Sequence, residues 1–301
     1  MTRLDLVPYP AGHGPSAGSV PVTVVVLAKN EAKNLGRCLG SVAWARQVIV
    51  VDSGSTDDTI AVARGAGVQV VEEPWRGFSG QRQFALTMPH VTHDWIFFVD
   101  ADEWVSAELA EEVAAAVETV DYVAYRLRFR LVFEGRWIRH CGWYGGAWLT
   151  RLMRRESASF DLDDWVDRPR IEGRIGELRN DIVDEDLKGL AAWLHKHVGY
   201  AELEAERRRS RPPLRSVLRD WRALRRTDTR PLGRAVLKDL VFPWVPAKPL
   251  GMFFYMYVVR LGFLDGLTGL RFCFFHAWFQ ATVNALEDSR HRQTPPGHAQ
   301  R

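Results

Sequence analysis

Between residues 22 and 102 the chain alternates short runs rich in β-branched residues with stretches whose apolar residues recur at helical spacing. The runs fall at 22–28, 47–52, 69–72 and 95–99, and the stretches between them at 32–43, 57–65 and about 80–88. Three strand-helix crossovers of this length predict βαβ units and a mainly parallel sheet.

Ser55-Thr56-Asp57-Asp58 supplies N-cap and first-turn residues for the second helix, and Ser106 caps a helix over 107–117. After Asp121 apolar and basic residues alternate from Tyr122 to Phe133, as in a half-exposed strand, so antiparallel strands are expected there. Residues 188–209 read as one helix that Arg211-Pro212-Pro213 interrupts, and both chain ends read as loose polar tails.

A 301-residue chain with 47% hydrophobic and 26% charged residues can bury a sizeable core, which excludes a wholly disordered, collagenous or coiled-coil protein. Cys38, Cys141 and Cys273 are too far apart for a disulfide framework or a C-x-x-C motif, which suits a reducing compartment. Residues 1–20 lack the apolar core of a signal peptide, so a cytoplasmic location is expected.

Charge is distributed unevenly. Residues 1–150 carry 13 Lys/Arg against 17 Asp/Glu, residues 151–301 carry 27 against 20, and residues 207–248 alone hold 13 against 3. A segment of net charge +10 needs an anionic partner or abundant solvent. It leads into residues 241–286, which contain 12 of the 34 aromatics. The longest stretches there without charge, 249–259 and 272–286, are 11 and 15 residues, short of the roughly 20 that cross hydrocarbon. A peripheral or monotopic attachment to an anionic membrane surface is expected, with a buried helical subdomain or an oligomer contact as the alternative. The aromatics follow the arginines instead of interleaving with them, and no nucleic-acid-binding motif is present, so no nucleic-acid partner is expected.

Ligands of open α/β sheets bind at the carboxyl ends of the strands. Lys29-Asn30-Glu31, Asp52-Ser53-Gly54-Ser55 and Asp100-Ala101-Asp102-Glu103 fall at three such ends and converge on one acidic cleft. Crowded carboxylates call for a compensating cation, and hard oxygen ligands suit Mg²⁺ or Mn²⁺, which keep positions open for substrate phosphates. Neither G-x-G-x-x-G nor a Walker A loop is present, which argues against a dinucleotide oxidoreductase and a P-loop NTPase. A nucleoside diphosphate held through metal is the expected ligand.

Three segments, VTVVVLAKNEAKNLGRCLGSV, QVIVVDSGSTDDTIAVA and WIFFVDADEWVSAEL, resemble in order and spacing the motifs of family 2 inverting glycosyltransferases of the GT-A fold, a mixed sheet flanked by helices. Gly77-Phe78-Ser79-Gly80-Gln81-Arg82, the DADE at 100–103, Gly142-Trp143-Tyr144, Arg151-Leu152-Met153-Arg154-Arg155 and Gly262-Phe263-Leu264-Asp265-Gly266 resemble the bacterial glucosyltransferases of the lipopolysaccharide-core type. The resemblance implies that Asn30 and Glu31 line the nucleotide pocket and that Asp52 meets the base. It places Asp100 at the ribose and sugar, Asp102 on the metal, and Gln81 and Arg82 at the nucleotide or donor sugar. Arg151, Arg154 and Arg155 are candidates for contact with a diphosphate or an anionic acceptor.

Inverting transfer requires a base for the acceptor hydroxyl. Where the similar enzymes carry a His-Glu pair, this chain has Val166-Asp167, so Asp167 is the first candidate base and Asp164 the second. His195 and His197 point to different faces of their helix and suit a solvated surface better than a metal. Trp137, Trp143, Tyr144 and Trp148 either stack on sugar rings or belong to the core.

The expected organisation is a tail at 1–20, a GT-A domain at 21–206, a basic then aromatic membrane-associating region at 207–288 and a polar tail at 289–301. The expected activity is metal-dependent transfer of a sugar, with UDP-glucose the donor suggested by the resemblance, to a lipid-linked or cell-envelope polysaccharide acceptor. The alternatives are a catalytically silent nucleotide-sugar-binding or membrane scaffold and, more distantly, a nucleotidyltransferase.

Overall fold

The computed structural model describes residues 14–144, 148–162, 168–209 and 248–293. The chain forms two compact units, Met1–Gly189 and Leu190–Arg301.

The first unit is built on β1 (Val20–Ala28), β2 (Ala45–Asp52), β3 (Gln69–Glu72) and β4 (Trp95–Asp100), joined by α1 (Ala32–Ser41), α2 (Thr59–Gly65) and α3 (Gly77–Thr87). These strands pair in parallel in the order β4-β1-β2-β3. β1 lies inside the sheet and is buried on both faces, which is why VPVTVVVLA reads as a continuous apolar run.

The sheet is extended by β9 (Leu149–Arg154), antiparallel to both β4 and β6 (Ala124–Leu127), and by β12 (Ile175–Glu177), giving seven strands. A second sheet orders β5 (Glu103–Trp104), β13 (Ile182–Glu185), β7 (Phe129–Phe133) and β8 (Arg136–Trp137); β10 (Ala158–Phe160) and β11 (Pro169–Ile171) form a third. Antiparallel strands thus follow Asp121 as expected.

Apolar residues cover both faces of the large sheet. α1 presents Leu35, Cys38 and Leu39 to one layer together with α4 (Ala107–Val117), whose Ser106 Oγ accepts from Leu109 N at 3.3 Å as the expected cap. The other layer centres on Ile49, Ile96, Phe98 and Met153 beneath Ala85 and Leu86 of α3. α2 begins at Thr59 rather than Asp57, because Asp57 Oδ1 accepts from Thr59 N at 3.0 Å and Oδ2 from Ala32 N at 3.2 Å. Asp57 therefore ties the entries of two helices together instead of joining one.

In the second unit, α5 (Leu190–Arg209) packs on α7 (Gly266–Gln293) through Ala201, Ala205 and Val283. Arg208 donates to Gln280 at 3.0 Å and to Asn284 and Glu287 at 3.2 Å. His197 stacks on Trp193 with centroids 3.5 Å apart, so it is packed and not part of a solvated surface. α6 (Lys248–Phe254) continues into a π-helical turn at Tyr255–Val259, Leu261 takes φ +58°, and the 3₁₀ turn Gly262–Asp265 leads into α7. A Cβ on Gly269 would stand 2.2 Å from the Gly262 carbonyl oxygen, so this tight bend requires glycine. Among the described residues no single helix is long and apolar enough to cross a membrane; the helical segments Pro249–Val259 and Gly262–Ser289 meet at 75°.

Candidate functional site at the strand ends

Parallel pairing brings the carboxyl ends of β4, β1 and β2 level, with Leu27 opposite Asp100 and Ala28 opposite Asp52. The loops after β1 and β2 are fastened to each other. Asn30, at φ +56°, accepts from Thr56 N through Oδ1 at 2.7 Å, and its own N donates to Ser55 Oγ at 2.8 Å. Asp52 is fully buried and accepts from Gly54 N at 3.0 Å and Ser55 N at 2.8 Å through Oδ1, and from the Ser55 hydroxyl through Oδ2. Three donors on one carboxylate make a rigid turn at the strand end.

α3 supplies two buried polar side chains. Gln81 Nε2 donates to Ser53 Oγ at 2.8 Å and to Glu73 O at 3.2 Å, which closes the wall beside Asp52. Arg82 lies 5.7 Å over the Phe98 ring and donates to Asp100 Oδ1 at 2.8 Å. From β9, Arg151 reaches the same carboxylate, Nη2 to Oδ2 at 2.8 Å, and also Glu103 Oε1 at 3.0 Å. Glu103 Oε2 accepts from Asp100 N at 2.7 Å. Asp100 is clamped by two buried arginines, while Asp102 beside it is half-buried.

The electrostatics follow from this crowding. Burial, opposed by the Arg151 charge and reinforced by the Asp100 carboxylate, pushes Glu103 up to about 8. Burial and the nearby Asp102 charge also raise Glu31, despite its bonds to Lys188 and Asn34. The residues gathered here offer oxygen ligands only, and among the described residues no ready-made cluster of three protein ligands exists. That donor set fits Mg²⁺ or Mn²⁺, which one or two carboxylates hold while water and substrate phosphates complete the shell. It does not suit a caged structural metal.

Asn30, Glu31, Asp52, Asp100, Asp102 and Arg151 thus stand on the strands and loops at one sheet edge, and Gln81 and Arg82 reach it from α3. Arg154 and Arg155 are engaged elsewhere. Arg154 lies 4.8 Å over Trp95, and Arg155 donates to the carbonyls of Leu86, Val91 and Met88 at 2.9–3.3 Å. Asp164 and Asp167 lie outside the described residues. Sequence reasoning assigns no role to Asp186 and Lys188, which return to the cleft to bond Asn34 and Glu31. Partners more than 150 positions apart leave no local signal.

A mixed sheet with helices on its faces and a carboxylate cluster at its parallel strand ends defines the GT-A class of fold. Residues 23–162 match the model of glycosyl transferase family 2. An uncharacterized glycosyltransferase of Rickettsia prowazekii is 36% identical over 118 residues, 38% of this chain and 40% of that one. The lipopolysaccharide core biosynthesis glycosyltransferase LpsC of Rhizobium meliloti is 32% identical over 176 residues, 53% of this chain and 61% of that one. The chain therefore spans about two fifths of the rickettsial relatives' length and three fifths of LpsC. Among solved structures, glucosyl-3-phosphoglycerate synthase of Mycobacterium tuberculosis in complex with Mn²⁺ and UDP-glucose matches at 23% identity over 37% of this chain and 44% of that one, with a TM-score of 0.32.

Proposed function

We propose that the protein is a metal-dependent inverting glycosyltransferase that moves a sugar from a nucleoside-diphosphate donor, UDP-glucose first among candidates, to a lipid-linked or cell-envelope saccharide. The observation that carries this reading is the Asp100 carboxylate fixed between Arg82 and Arg151, beside the half-buried Asp102, within the family 2 region. The identity to LpsC, a lipopolysaccharide core enzyme by its name, supports the acceptor class.

In this reading Asp102 holds Mg²⁺ or Mn²⁺, which supplies charge neutralisation for the departing diphosphate. Asp52, buried and locked by the Ser55 turn, fixes the wall at the nucleotide base end of the cleft, and Asn30 holds the neighbouring loop to it. Arg82 and Arg151 hold Asp100 oriented at the donor sugar. The acceptor oxygen bonds to the anomeric carbon as the carbon–oxygen bond to the diphosphate breaks. The hydroxyl proton passes to an acidic side chain, Asp167 before Asp164.

The second unit supports action at the cytoplasmic face of a membrane. Ten of the nineteen exposed large apolar side chains among the described residues fall between Leu250 and Phe274, around the bent helix pair. Asp265, the one acidic residue in 249–286, is buried, while Arg271 is exposed. An apolar apex with basic neighbours fits a monotopic seat in anionic lipid.

Isothermal titration against UDP-, GDP- and TDP-sugars with Mn²⁺ or Mg²⁺, repeated with chelator, tests the donor site. Metal-dependent binding of one donor supports the transferase. Folded protein that binds no nucleotide sugar in the presence of metal favours the scaffold alternative.

A further inference from the structure

The alternation of basic residues after Tyr122 has no role in donor binding. In the structure it becomes a ladder. Arg126 and Arg128 both lie over the Trp148 ring, at 5.0 and 5.5 Å, and Arg128 also lies 5.4 Å over Tyr144. Arg130 lies 4.8 Å over Trp137, and Trp137 meets Tyr144 edge-on at 5.0 Å. Spacing by two residues on extended chain places the three guanidiniums on one face. Trp148 remains 38% exposed.

A buried carboxylate organises the ladder. Asp181 accepts from Arg130 Nε and from Tyr144 OH, each at 3.0 Å, and pairs with Arg128 Nε at 3.3 Å. Both arginines meet it through Nε, and their terminal amines carry no protein partner among the described residues. Stacked on a ring and anchored at Nε, a guanidinium has little rotamer freedom left to lose when its outer edge meets an anion. The aromatic faces beside it are the kind that pack on the apolar faces of sugar rings.

The register fixes where this surface stands. Asp102 O accepts from Glu185 N at 3.0 Å at one end of β13, and Ile182 at the other end pairs with Phe129 of β7. Arg130 pairs with Val183, so two residues of strand separate the Asp102 backbone contact from the ladder, about 7 Å. Ala124 and Met153 pair and share one core layer. The register shifts after Tyr125, so Arg126 stands opposite Thr150, the chain neighbour of the Arg151 that clamps Asp100.

We propose that Arg128 and Arg130, with Trp148, Trp137 and Tyr144, form the acceptor subsite, flanked by Arg126, which Glu177 holds, and that it selects a saccharide bearing phosphate or carboxylate groups. The inference rests on the transferase reading for the word acceptor, and on the ladder alone for the chemistry of the ligand.

Saturation-transfer NMR on the full chain with glucose 6-phosphate, glucuronate and glucose, without nucleotide, tests it. Both anionic sugars are expected to bind at least about tenfold more tightly than glucose, the worth of one charge-assisted contact. Arg128→Gln with Arg130→Gln should abolish that preference, and Trp148→Ala should weaken all three sugars. Arg128→Lys, which keeps the charge and loses the fork, covers the case in which the double variant does not fold. Equal binding of glucose, an unchanged preference in the folded variants, or displacement of the sugar phosphate by UDP with Mn²⁺ overturns the proposal. Anionic-sugar binding by a chain that binds no nucleotide overturns the transferase reading and the acceptor role together, and separates that failure from failure of the ladder.

Discussion

Arg151 on β9 and Asp100 on β4 meet at 2.8 Å across an antiparallel strand pair, and the same guanidinium nitrogen also reaches Glu103. One buried cation thus serves two neighbouring carboxyl groups, and its charge opposes the rise that burial imposes on Glu103.

Without that cation Asp100 keeps its bond to Arg82, and Glu103 its bond to the Asp100 backbone N–H. Arg151→Ala should destabilise the first unit by about 3–5 kcal/mol, the usual cost of breaking a buried pair from one side. Urea denaturation measures it. Arg151→Lys should recover part of the loss, and a loss below about 1 kcal/mol in Arg151→Ala would show that the pair does not hold the site together.

Asp102 presents the opposite case. Its side chain is half-buried at the strand end, so Asp102→Ala should leave the unfolding midpoint nearly unchanged while removing the metal dependence of nucleotide binding. Turnover, once an acceptor is in hand, should drop by about 10²-fold or more. Titration of UDP with and without Mn²⁺ reads the first effect; wild-type affinity in the variant would remove Asp102 from the metal.

The parallel core was legible because β1, β2 and β4 are apolar runs buried on one or both faces, and each ends in polar residues that have nothing to do with packing. Asp52, Asp100 and Asp102 stood out for that reason. What escaped was long-range: Lys188 on Glu31, Asp186 on Asn34 and Asp181 beneath the arginines are brought back by β13, a four-residue strand with no distinctive pattern. The division of labour among Arg151, Arg154 and Arg155 was partly readable. Alternation along a strand separates 151 from 154, and Arg155 stands past the strand, where it holds the end of α3.

In the second unit, His276 is packed against Phe272 at 4.4 Å and near His197 at 6.4 Å. Burial, with the neighbouring His197 charge, pushes it down to about 3. Between that value and the ordinary 6.5, the unfolded chain binds a proton that the folded chain refuses, so stability falls as pH is lowered through this window. From pH 7 to pH 5 the loss from this residue is up to about 2 kcal/mol. His276→Leu should flatten the profile, measured as urea midpoints at the two pH values; parallel profiles for variant and wild type would show that His276 is not the titrating group.

The bent helix pair yields the last expectation. Phe263 and Leu264 sit at the 3₁₀ turn of the bend, each about half exposed, with Leu267 more exposed one turn on. Seating such side chains in lipid contributes roughly 1.5–3 kcal/mol apiece when burial is complete. The wild-type chain should therefore co-sediment with vesicles containing anionic lipid, and raised salt should weaken the interaction by screening the basic residues. Phe263→Glu or Leu264→Glu should each reduce binding about tenfold while leaving UDP binding with Mn²⁺ untouched, because these residues belong to the other unit. If the wild type stays in the supernatant at low salt, the apolar apex is not a membrane seat. If instead the same substitutions convert a dimer to a monomer by sedimentation velocity, the surface that 250–274 exposes belongs to a second copy of the chain.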